Sequence, residues 1–128
     1  MNMKDAFNGH TVVSALAPAV QAATIKGGAI DLQGFGSALI VFNTGAIASA
    51  GDFTGKVQES YTTTDGDFTD VAAVDLVGAL PASLAAASTA SLSYIGKRRY
   101  IRVVATKNGG TSIAAGAVVI LGHQSIAP

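Results

Sequence analysis

The sequence predicts an all-β fold: a single-domain antiparallel β-sandwich or barrel-like fold of short strands and glycine-rich turns. Three observations predict it. Turn-forming residues recur at "KGG" (26–28), "GFG" (34–36), "TGAIASAGD" (44–52), "TTTDGD" (62–67) and "KNGG" (107–110). The runs between them are rich in Val, Ile, Tyr and Phe and follow one another at about 10-residue intervals, the spacing of sandwich and barrel strands. Only Ala79–Thr89, "ALPASLAAAST", offers a helical turn, and it reads equally well as a connecting loop.

Thr11–Leu16 is the first expected strand, carrying Val12, Val13 and Leu16. Ala29–Leu32 lies between two glycine turns, and Ala38–Asn43 follows the second. Lys56–Tyr61 and Phe68–Val71 flank Asp65–Gly66, a dipeptide that tolerates the positive φ of a tight hairpin turn. Ala90–Ile95, Arg99–Ala105 and Ala114–Gly122 complete the set, with a second hairpin expected at Asn108–Gly109. No internal repeat is present.

A chain of 128 residues fits one domain. We read 1–10 as an N-terminal arm and 11–128 as a single β-sandwich domain. At this length roughly two thirds of the unfolded surface can be buried, so the core needs neither metal nor disulfide. Cysteine is absent, which removes thiol chemistry. With 49% hydrophobic and 12% charged residues the chain is too apolar for disorder. Alanine supplies much of that apolar content, so thin core layers are expected. Thr11–Ala23 imitates a secretion signal, yet Asp5 offsets Lys4 and Pro18 interrupts the apolar run, so a cleaved signal is not expected. No apolar stretch approaches the roughly 18 residues of a membrane span.

The net charge of zero hides a segregation. Up to Asp75 there are three bases and eight acids, −5; beyond it there are five bases and no acid, +5. Such a polarity is expected to attract copies of the same chain or a neighbour of matching polarity. It does not suit general nucleic-acid binding, which calls for a basic excess over a whole domain.

Catalytic patterns are missing. His10 and His123 lie near opposite ends without a G-x-S-x-G context, and no third metal ligand has recognisable spacing. "DGDFTD" (65–70) fails as an EF-hand, because its sixth and twelfth positions hold Asp70 and Leu76 where Gly and Glu are required. No catalytic residue, cofactor or metal is expected, nor enzymatic activity.

"GKRRYIRVVATKNGG" (96–110) holds five of the eight bases. Strand alternation puts Ile101 and Val103 in the core on the side of Arg99, and turns Arg98, Tyr100 and Arg102 outward. Two readings stay open for this stripe. It is a solvated face whose arginines stack on tyrosine and pair with acids of a neighbouring strand, or a contact surface rich in the residue types favoured where proteins meet. "ALIVF" (38–42) and "AVVIL" (117–121) break the expected alternation by being apolar on both faces. Their outer face is covered either by a loop of the same chain or by another subunit.

The segments "SALAPAVQAAT", "GAIDLQGFGSALIVFNTGAI", "KVQESYTTTDGDFTDVAAVDLVGALPA", "YIGKRRYIRVV" and "GAVVILGH" together resemble a family of small virion structural proteins of tailed bacteriophages and prophages, encoded near the major capsid protein. The likeness runs from about Thr11 to Pro128. It implies a capsid decoration (cement) protein, made in the host cytoplasm and carried on the head surface of the virion. The implied partners are the major capsid protein and copies of itself, a trimer first among the options, without membrane or direct nucleic-acid contact. A tail or head–tail connector component is the alternative within that family. A carbohydrate-binding sandwich is another, opposed by the absence of tryptophan. No functional residue of the family is carried over, and the interface expectation rests on Arg98, Tyr100 and Arg102.

Overall fold

Short apolar runs between turn residues recur along the chain, and the backbone answers with strands. The computed structural model describes residues 6–124. Among the described residues there are ten strands: β1 (His10–Gln21), β2 (Ile25–Lys26), β3 (Ile30–Asp31), β4 (Phe35–Ala48), β5 (Asp52–Ser60), β6 (Thr69–Asp70), β7 (Leu76–Val77), β8 (Thr89–Tyr94), β9 (Tyr100–Gly109) and β10 (Ser112–Gln124). They form two antiparallel sheets: sheet I in the order β1-β10-β4-β8-β7, and sheet II in the order β2-β9-β5-β6, with β3 also on β9. The architecture is a sandwich rather than a closed barrel. All eight expected strands exist, several of them longer than anticipated.

β4 and β5 run on from each other, as do β9 and β10. Ser112 pairs with Ala48 in sheet I, and Gly109 pairs with Asp52 in sheet II. The four strands are therefore one long two-stranded ribbon, folded at its middle so that one half lies in each sheet. With β1 beside β10, and β2 beside β9, this is the strand order of a jelly roll. The expected hairpin at Asn108–Gly109 is corrected by this geometry. Asn108 and Gly109 still belong to β9, and the corner falls one residue later, where Gly110 takes φ +70° and leads into the opposite sheet. Beside it, Ser49 and Ala50 both take positive φ in the β4–β5 turn, closed by the Gly51 N–H donating to the Ala48 carbonyl at 3.1 Å. A side chain at Gly110 would collide with the Ala50 carbonyl, so only glycine lets the two corners nest.

Between the sheets, Ala38, Ile40 and Phe42 of β4 and Ala117, Val119 and Leu121 of β10 face Phe53 and Val57 of β5 and Ile101, Val103 and Ala105 of β9. Phe42, Ile40, Phe53, Ile101 and Val103 are fully buried. The Phe42 ring lies against Gly55, where even a methyl group would press on it. Ala38, Ala105, Ala115 and Ala117 lie among these larger residues.

Asp65–Gly66 does connect two paired strands, β5 and β6. Its turn is a 3-10 turn over Asp65–Asp67 within a wider loop, and Gly66 has no positive φ. Segment 79–88 is the loop alternative, without helix, pinned by buried Leu84 and by its N–H to the Phe53 carbonyl at 2.8 Å. The signal-like stretch Thr11–Ala23 lies in strand β1 as far as Gln21. Half of the expected N-terminal arm, 1–5, lies outside the described residues, and β1 already begins at His10.

Candidate functional site

Among the described residues no cluster of three or more His, Cys, Asp or Glu side chains could hold a metal ion, and no helix is long and apolar enough to cross a membrane. The strand ends bearing the two histidines do meet, with His10 opposite Gly122, although the His123 side chain lies outside the description. Two surfaces stand out among the described residues.

The basic stretch is the first such surface. Its loop is positioned by Tyr94 of β8, whose hydroxyl donates to Glu59 of β5 at 2.6 Å and accepts the Arg98 N–H at 3.0 Å. One buried phenol thus ties sheet I, sheet II and the 95–99 loop together. Burial first, and then the bond to Glu59, push the Tyr94 phenol well above its usual range.

Arg98, Tyr100 and Arg102 do not form one stripe with a tyrosine between two guanidiniums. β9 begins only at Tyr100, so Arg98 and Arg99 precede the strand and leave its alternation. Arg98 stacks over Tyr61, with its guanidinium 4.4 Å from the ring centroid. Arg99 lies 5.1 Å from the Tyr100 centroid and forks onto Asp31, with Nε to Oδ1 at 3.0 Å and Nη2 to Oδ2 at 2.9 Å. That fork holds the Asp31 carboxyl below its usual range.

Arg102 does leave the core on the expected side, but the chain covers it. Its side chain is 8% exposed, 4.3 Å above the Phe68 ring, and donates to Asp65 Oδ1 at 2.6 Å and Gln58 Oε1 at 2.8 Å. Lys26 also reaches Asp65, at 3.5 Å. The 61–68 loop is therefore strapped across the outer face of sheet II, from β5 and β6 on one side to β2 on the other. These ion pairs join bases to acids that are distant in sequence, with Lys56–Asp70 at 3.1 Å completing the set. Arg99 and Arg102, from the basic half, thus neutralise acids of the other half inside the same molecule. Lys97 and Arg98 make no ion pair among the described residues. They flank a surface groove of about 430 Å³ walled on its other side by Gln33–Ala38.

Sheet I is the second surface. No Asp, Glu, Lys or Arg occurs in any of its five strands, whereas the strands of sheet II carry eight. Its outward positions form rows across the strands: Val12, Ile120 and Leu39; then Ser14, Val118, Val41 and Ser91; then Gly116, Asn43 and Thr89. Val12 is 63% exposed and Leu39 36%. "ALIVF" and "AVVIL" are the central strands of this sheet, and no described loop lies on their outer face; the covering loop sits on sheet II. Where β1 shifts register between Ser14 and Ala19, Pro18 leans over Gly116 and borders a hollow of about 320 Å³ with Leu16, Asn43 and Val118.

Neither Tyr61 nor the strap was visible from sequence, because both depend on contacts between segments far apart. The apolar-on-both-faces runs did signal sheet I. The absence of charge from it appears only once the strands are assigned to their sheets.

No family model matches the chain, and no curated protein matches it. Among solved structures, one from infectious bursal disease virus, Gx strain, follows 93% of this chain at 14% identity and a TM-score of 0.44. This chain spans 33% of the length of that neighbour. A likeness this loose transfers no function.

Proposed function

We propose that the protein is a non-enzymatic structural component of a tailed-phage virion, a decoration protein seated on the outside of the head and bound to the major capsid protein. The observation that carries the reading is the outer face of sheet I, whose strands hold no Asp, Glu, Lys or Arg and which sets Val12, Ile120, Leu39, Val118 and Val41 among small polar residues with no described loop across them. A soluble monomer gains nothing from such a face, whereas an assembly component buries it. The jelly roll alone leaves the matter open, since it serves capsid and sugar-binding proteins alike. The segment-by-segment resemblance to virion proteins directs the choice.

The contact expected at Arg98, Tyr100 and Arg102 narrows to its outer members. Arg98 and Tyr100, with Tyr61 and Lys97, form an aromatic and cationic rim that reaches the shell, while Arg102 supports it from beneath. Quantitative mass spectrometry of purified particles should find the protein at copy numbers comparable with the major capsid protein. Arg98→Ala should weaken attachment by up to about thirtyfold, as loss of an interface arginine does, and leave the melting temperature of the free protein unchanged. Absence from particles would end the virion reading; full attachment of the variant would end the role of the rim.

A further inference from the structure

We infer that the outer face of sheet I binds a second copy of this chain, face to face about a two-fold axis, and this concerns the free protein whether or not it decorates a virion. Three features of the face point to a copy of itself. It carries no charge, so meeting its own image brings no like-charge repulsion and requires no complementary partner. Its size is adequate: at about 3.3 Å per residue and 4.8 Å per strand, β1, β10, β4 and β8 span roughly 700 Å², against about 800 Å² per partner in a standard interface.

The third feature is that the face holds both a ridge and a hollow. Val12, Ile120 and Leu39 stand up in one row, and a hollow lined by Pro18, Gly116, Asn43 and Thr89 opens on the far side of the middle row, with Pro18 packed over Gly116. Midway lies the row Ser14, Val118, Val41 and Ser91. A two-fold axis along that middle row places each ridge over the hollow of the other copy and sets Val118 opposite its own counterpart. An isologous contact requires this self-complementarity. The arrangement is two-fold, distinct from the trimer that the resemblance implies.

Light scattering and sedimentation of the purified full chain test it. The expected species has twice the 12.7 kDa chain mass. Leu39→Glu puts a charge on the ridge and should weaken association at least tenfold while the melting temperature holds, because the position is already partly exposed. Because the chain has no cysteine, single cysteines report the geometry. Val118→Cys should be joined to itself by a short bis-maleimide spanning two sheets about 10 Å apart, and Asp67→Cys, on the strap over sheet II, should not. A strict monomer at several hundred micromolar overturns the inference, as does a dimer indifferent to Leu39→Glu. A monomer whose attachment to particles is lost in Leu39→Glu also overturns it, and gives the face to the shell instead.

Discussion

Replacing Arg102 with alanine separates scaffold from contact surface in the basic stretch. The wild-type guanidinium makes two hydrogen bonds, to Asp65 at 2.6 Å and Gln58 at 2.8 Å, and covers the Phe68 ring at 4.3 Å. Asp65 is 69% exposed, so its carboxylate stays hydrated when the partner leaves, and that part of the loss is small. The bond to Gln58 and the stacking are shielded, and charge-assisted hydrogen bonds and desolvated cation–π contacts contribute roughly 1.5–3 and up to about 2 kcal/mol respectively. Allowing for overlap, the change should cost about 2–3 kcal/mol, mostly by releasing the strap from sheet II. For a domain of this size that corresponds to a fall of roughly 6–15 °C in melting temperature. Thermal unfolding followed by circular dichroism measures it, with Arg98→Ala as control. Arg98 only stacks on Tyr61, itself 63% exposed, so its loss should move the midpoint by less than about 2 °C, as surface changes do. Equal midpoints for the two variants would refute the distinction between a buried clamp and an outer rim.

Acid should destabilise the fold in a defined window. The carboxyls of Asp31, Asp65 and Asp70 lie below the ordinary 3.8, held there chiefly by hydrogen bonds from Arg99, Arg102 and Gln58. Groups depressed in the folded state stabilise it above their unfolded value, and that contribution disappears as pH falls through the folded one. Unfolding curves should therefore be nearly constant from about pH 7 to 5 and shift downward below about pH 4, less steeply in Arg102→Ala; an identical acid slope in that variant would remove Asp65 from the account. At the ribbon corner, Gly110→Ala should cost about 2 kcal/mol or more, because φ there is positive and the Ala50 carbonyl is in the way. Gly66→Ala, in open space, should be neutral within about 0.5 kcal/mol, and denaturant titration distinguishes the pair.

Strand positions were legible because each expected run is a short stretch rich in Val, Ile, Tyr or Phe, or continuously apolar, set between turn residues. Ile25–Lys26 and Leu76–Val77 were not, since two residues have no period; their pairing with β9 and β8 creates them. Partnership was the harder matter. Asn108–Gly109 has the composition of a hairpin turn, yet β5 and β4 claim the strands on either side, and the backbone turns at Gly110 into the other sheet. The basic stripe failed for a related reason. Alternation correctly set Ile101 and Val103 inward and Arg102 outward, but could not foresee that residues 61–68 would fold over that side and bury it. The split of charge between chain halves was legible as a fact and misleading as a dipole, because pairs such as Arg102–Asp65 and Arg99–Asp31 cancel it on folding.

The folded ribbon also dictates an order of events during synthesis. β4 and β5 leave the ribosome well before β9 and β10, the strands that cover their edges, so the central layer of both sheets waits for the last third of the chain. Until β8 emerges, Ala38–Phe42, apolar on both faces, has no native partner on either side, and its other edge stays open until β10 follows, which makes it the segment most open to association with other nascent chains. Such long-range pairing closes late and slowly.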